Sequence, residues 1–99
     1  MSSTAAPPPA GRATIRLDKW LWHARFFRSR SAAARAVAAT PFRIDGRPTD
    51  KPHALVGPGM VLTFALGSQV RVVRILAPGT RRGPASEARL LYEELDPPS

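Results

Sequence analysis

Two hydrophobic periods divide this chain. Leu17, Trp20, Leu21, Ala24 and then Phe27 or Arg28 recur at i, i+3, i+4 and i+7, the spacing of a helix with one buried face. Arg16, Lys19 and His23 fall three and four apart on a neighbouring face. The pattern predicts a first helix over about 17–27, with Asp18 in the first turn, where the helix dipole favours a negative charge. Trp20 and Leu21 belong to its core side. Trp22 points away from that pair, so it is either partly buried against the sheet or an exposed ring able to stack on a base, and the core is preferred for it. After a break at Phe27–Ser29, the alanine-rich run ending at Ala39 predicts a second helix over about 30–39. Ser29 or Ser31 can cap it by accepting a backbone N–H bond. Thr40-Pro41 ends it, because the residue before proline is pushed out of the helical region.

From Phe42 the period changes to two. Phe42-Arg43-Ile44 alternates apolar and basic, and Asp45-Gly46 supplies a tight turn. Arg47–Pro58 reads as a loop punctuated by Pro48, Pro52 and Pro58. Met60–Leu66 and Gln69–Leu76 read as strands joined through Gly67-Ser68, and Pro78–Pro84 as a further loop. Ser86–Leu95 predicts a short closing helix, with Ser86 as its cap and Glu87 in its first turn. Residues 1–13 are rich in Ser, Ala, Pro and Gly and hold no large apolar side chain beyond Met1, so they are expected to form a disordered arm. The expected organisation is therefore one domain over 14–95, with that arm before it and a short tail at 96–99. Its fold class is α+β: two packed short helices against a small antiparallel β-sheet, plus a short C-terminal helix.

Composition narrows the function. Ninety-nine residues with 43% hydrophobic content suit a single modest core. With no cysteine there is no disulfide framework, thiolate metal site or thiol nucleophile. No apolar run approaches the roughly 18 residues of a spanning helix, and no signal-peptide pattern opens the chain. A soluble, cytoplasmic protein without a membrane partner is expected. The formal net charge is +8, and it is unevenly placed. Residues 1–51 hold ten Lys and Arg against three acids, whereas residues 52–99 hold five against four. An excess concentrated in the helical half points to a polyanion, and Arg, with its planar fork, dominates it.

Catalytic chemistry has little to work with. His23 and His53 are the two histidines, and the carboxylates are few and scattered. No Ser/His/Asp order, phosphate-cradling Gly-rich loop or metal-ligand spacing occurs. No enzyme, metal or cofactor is expected. His23 lacks a ligand partner, and its remaining possible role is a phosphate contact when protonated.

Arg16-Leu17-Asp18-Lys19-x-Leu21, then Ser29-Arg30-x-x-Ala33, then Asp45-Gly46 and Gly57-Pro58-Gly59-x-x-Leu62, resemble the S4 RNA-binding domain, or alpha-L motif. The first helix, together with Arg81-Arg82-Gly83-Pro84-Ala85-Ser86-Glu87-Ala88 and Leu91-Tyr92-Glu93-Glu94, is similar to the ribosome-associated heat-shock protein 15 family. The resemblance implies helices packed on a small sheet and binding to structured RNA. Its heat-shock branch implies large ribosomal subunits carrying a stranded peptidyl-tRNA, hence large-subunit ribosomal RNA and tRNA as partners; separately from the resemblance, a monomer is expected in solution. Carried over residue by residue, it puts Arg16 and Arg30 first as RNA contacts, then Lys19 and Arg25. Arg28, Arg35 and Arg43 follow on charge and proximity. The family's basic position in the second helix falls at Ala34, with Arg35 next. The alternative reading is a DNA-binding helix-turn-helix regulator. Against it, the second helix is followed by a strand rather than a third helix, is mostly alanine, and lacks the Asn or Gln that reads bases.

Overall fold

The computed structural model describes residues 14–95. The expected N-terminal arm and the tail lie outside the described residues. The chain opens with β1 (Ile15–Arg16), α1 (Leu17–His23) and α2 (Arg30–Ala39). It continues through β2 (Phe42–Ile44), β3 (Arg47–Thr49), β4 (Leu55–Val56), β5 (Val61–Leu66) and β6 (Gln69–Ile75). A single turn, α3 (Ala85–Ala88), runs through a 3-10 turn (Arg89–Leu91) into β7 (Tyr92–Leu95). Strands β3-β2-β5-β6-β7 form one antiparallel sheet, while β1 and β4 pair separately beside the helices. The α+β class is as expected.

Helix α2 keeps the boundaries its sequence predicts, with the Ser29 hydroxyl accepting from the Ala32 N–H at 3.0 Å. Helix α1 stops short of the expected 27. The Phe26 N–H donates to the Leu21 carbonyl and the Arg25 N–H to the Trp22 carbonyl, closing a Schellman motif. Arg25 takes the left-handed position of that motif, at φ 65°. A non-glycine residue there costs about 1–2 kcal/mol. Leu21 and Phe26 both lie in the core, so their burial offsets that strain.

The core is a layer of side chains between the two helices and the inner face of the sheet. Leu17, Trp20, Leu21, Ala33 and Val37 from the helices meet Phe42, Leu62, Phe64, Val73 and Ile75 from the strands. Phe42 and Phe64, opposite each other across β2 and β5, stack with centroids 5.0 Å apart. Phe26 meets Phe64 edge-on at 5.3 Å and Tyr92 at 4.7 Å, tying the interhelical loop to the sheet. Trp22 stands outside this cluster and is only partly buried, so the core assignment preferred for it does not hold. The inward arc of α1 is already filled by Leu17, Trp20 and Leu21.

Two further expectations are corrected. Arg47–Pro58 is not all loop: β3 pairs with β2 around an Asp45-Gly46 turn whose residues have φ 51° and 83°, and β4 pairs with β1. Pro48 hides this strand from a sequence reading, yet β3 is a sheet edge, where a missing N–H leaves no ladder partner unsatisfied. Ser86–Leu95 is not one helix. Ser86 lies inside the single turn of α3, whose N-cap is Pro84 with no side-chain cap bond. Tyr92–Leu95 instead runs antiparallel to Val72–Ile75.

Candidate nucleic-acid interface

The chain enters α1 in extended conformation at Arg16, so the side chain of this N-cap residue folds back over the first helical turn. Three amide donors of that turn are satisfied. Leu17 N–H donates to Ala54 O at 2.8 Å, Asp18 N–H to Pro52 O at 3.0 Å, and Lys19 N–H to Asp18 Oδ1 at 2.7 Å. The 50–54 loop is thereby strapped to the start of α1, which brings exposed Lys51 beside it.

Asp18 is the centre of the arrangement. Its side chain is 6% exposed and accepts a forked pair from Arg16, Nε at 3.2 Å and Nη2 at 3.0 Å. Arg30, the first residue of α2, brings Nη2 to 3.7 Å from Asp18 Oδ1. That distance makes an ionic contact rather than a hydrogen bond. The two arginine side chains remain 50% and 43% exposed. One buried carboxylate thus orients two half-exposed guanidiniums, one at the start of each helix. Two positive charges face one negative charge, so the cluster keeps a net positive charge to which Lys19 adds. A guanidinium carries five donors. Arg16 commits those of two nitrogens to Asp18, and the rest stay free for phosphate oxygens.

The structure distributes the other expected contacts. Arg28 is exposed in the interhelical loop, two residues before Arg30. Arg25 lies at the far end of α1 and donates through Nη1 to the Gly83 carbonyl at 2.7 Å, bracing the 78–84 loop. Arg35 is exposed, and five residues from Arg30 on α2 turn it roughly 140° away from that side chain. Arg43 alternates with inward-facing Phe42 and so points from the opposite face of the sheet, with Nη1 on the Gly46 carbonyl at 3.0 Å. Arg16 and Arg30 therefore form one group through Asp18, with Lys19 the next residue along the helix, whereas Arg25, Arg35 and Arg43 stand apart from it.

His23 is not placed for the phosphate contact open to it in the sequence. It is 2% exposed, with Nδ1 at 3.1 Å from the Pro78 carbonyl. A carbonyl only accepts, so Nδ1 carries a proton and the bond fixes the ring. Behind it lies a cavity of about 340 Å³ lined by His23, Pro78, Gly79, Arg81, Glu87 and Leu91, among others. Arg81 and Glu87 pair with each other at 2.9 Å. Among the described residues no three His, Asp or Glu side chains are grouped to hold a metal ion. No helix of the described residues is long and apolar enough to cross a membrane.

In the sequence Asp18 reads as a helix-dipole residue, and its larger part does not show. Residues two apart do not face each other on a helix. Arg16 precedes the helix, however, and its extended backbone permits the contact. The signal is present in Arg16-Leu17-Asp18, a basic residue immediately before a helix that carries an acid at its second position.

The family model described as the S4 domain matches residues 15–62, which contain the whole Asp18 cluster. Heat shock protein 15 of Escherichia coli K12 is 41% identical over 80 residues, covering 81% of this chain. The chain spans 59% of the length of that relative. The Heat shock protein 15 homolog of Aeromonas salmonicida is 38% identical over 91 residues, covering 91% of this chain and 68% of that protein. A solved structure, described as a trimeric structure of Vibrio cholerae Heat Shock Protein 15, superposes with a TM-score of 0.78 at 35% identity. It covers 84% of this chain and 83% of that one.

Proposed function

The chain belongs to the heat shock protein 15 family of S4-domain proteins, and from that premise we propose that it is a non-catalytic RNA-binding protein of the ribosome. Its target is structured RNA of the large subunit, with the tRNA of stalled peptidyl-tRNA complexes alongside, in the cytoplasm. The observation that carries this reading is the pair of half-exposed guanidiniums, Arg16 and Arg30, held over the buried Asp18 carboxylate. Fixed in this way, they offer phosphate oxygens a preorganised fork and lose little side-chain entropy on binding. Lys19 and Arg28 extend the same contact. Arg25, Arg35 and Arg43 act as outlying charges that steer the approach.

The helix-turn-helix alternative has little support in the fold. Helix α2 runs into a strand, and its exposed positions are Ser31, Arg35, Ala38 and Ala39, besides Arg30 at its start. None of these is the Asn or Gln that reads adenine in a major groove. Competition at matched salt tests the proposal. Folded large-subunit ribosomal RNA is expected to displace a labelled RNA hairpin at lower concentration than duplex DNA of equal length, and the protein is expected to co-sediment with large subunits. Preference for duplex DNA would overturn it. The free protein is taken as a monomer. Sedimentation equilibrium decides between that state and the trimer described for the Vibrio cholerae relative.

A further inference from the structure

Trp20 and Trp22 lie two residues apart on α1 and have opposite environments. Trp20 is fully buried, and its indole N–H donates to the Ala77 carbonyl at 2.9 Å. Trp22 is partly exposed and outside the core cluster, and among the described residues its indole N–H has no hydrogen-bond partner. It follows Asp18 by four residues and Lys19 by three, so the three share one face of the helix. Helical side chains lean towards the N-terminus, which places the indole over the turn that carries the Asp18 cluster. On its other flank is the His23 ring, 5.5 Å away between centroids and tilted by 39°. That ring is buried and tied to Pro78, so the indole has a rigid neighbour.

A large, partly exposed aromatic ring one helical turn beyond Asp18 and Lys19, braced on one side by His23, has the chemistry of a stacking platform. We infer that Trp22 stacks on an unpaired base of the bound RNA while Arg16, Arg30 and Lys19 hold the flanking phosphates. The inference rests on the RNA-binding reading above and adds what that reading lacks, a preference for a kind of RNA. Phosphate contacts treat a duplex and a loop alike, but an indole can stack only on a base that is not already paired and stacked. The site therefore takes a hairpin loop, bulge or strand end next to a helical stem.

The test uses two synthetic RNAs, a stem closed by a single-stranded loop and the same stem as a blunt duplex, titrated with the full chain at several salt concentrations. The parent is expected to prefer the looped RNA. Trp22→Ala should weaken binding of the looped RNA by at least about fivefold and leave the duplex unaffected, with the salt slope unchanged, because stacking releases no counterions. Trp22→Phe, which keeps a ring, should retain most of the preference, and melting curves confirm that both variants are folded. Parent-like binding of the loop by Trp22→Ala, or equal weakening on both RNAs, overturns the inference. So does a loss of self-association with RNA binding intact, which would place the indole in a subunit contact. A parent that binds neither RNA defeats the underlying RNA-binding reading itself, an outcome distinct from all of these.

Discussion

Asp18 does two jobs with one carboxylate. It accepts the Lys19 amide at the start of α1, and it holds the Arg16 fork and the Arg30 guanidinium in place. Hydrogen bonds to a charged acceptor contribute more than neutral ones, although the half-exposed arginines are screened by water. Asp18→Asn preserves shape while removing the charge, and it leaves two guanidiniums side by side with no counterion. We expect it to destabilise the fold by about 1–2 kcal/mol, read as a lower urea midpoint with an unchanged m-value. A midpoint equal to the parent's would mean that the arginines are not organised by Asp18. The basic members of this cluster are legible in the sequence because charge and helical spacing announce them. The acid is not, because its role arises from the extended backbone at Arg16 and from the 50–54 loop packed against the helix start.

At the scale of elements, β7 shows where local preference yields to tertiary pairing. Ser86–Leu95 is rich in Glu, Ala and Leu, good helix formers, which is why a helix is the natural expectation. The exposed edge of β6 offers Arg71 and Arg74, and β7 answers with Glu94 at 2.6 Å and Glu93 at 2.7 Å, while Tyr92 packs against Trp20 and Phe26. A helix over 92–95 would give up that strand pairing and those contacts. By contrast α2, the Asp45-Gly46 turn and strands β5 and β6 are legible because caps, turn residues and period-two alternation act locally. The hydrogen bond from Arg71 holds the Glu94 carboxyl below the ordinary glutamate range, and Glu94 in turn raises Arg71. The unfolded chain, with an ordinary glutamate pKa of about 4.3, therefore takes up this proton, as pH falls, before the folded one does. This stabilising contribution is complete above that pH and is lost as pH falls through the depressed folded value. Glu94→Gln should lose less melting temperature than the parent between neutral pH and pH values below the glutamate range. An identical acid-induced drop would show that the pair adds nothing to the β6–β7 edge.

Across the whole molecule, the sheet serves as a platform on which the two helices are seated. The S4 match ends at residue 62, yet Phe64, Val73 and Ile75 beyond it are fully buried beneath the helices. The later strands thus complete the core that fixes where Arg16 and Arg30 stand. The charge is placed accordingly. Acids in the second half neutralise Arg71, Arg74 and Arg81 in cross-strand and local pairs. In the first half the basic excess remains available to a polyanion. Electrostatic docking of that kind has a defined signature, since each phosphate contact releases counterions and steepens the fall of affinity with salt.

That signature supplies the most direct test of the account. Binding of a large-subunit ribosomal RNA fragment should be measured across a salt series for the parent, Arg16→Ala, Arg30→Ala and the double variant. Each single change is expected to weaken binding and to flatten the log-log slope by roughly 0.7–0.9 for every phosphate it leaves unneutralised, with the double variant flatter still. Variants that fold normally and keep both the parent's affinity and its slope would contradict the claim that the paired guanidiniums over Asp18 are where RNA docks.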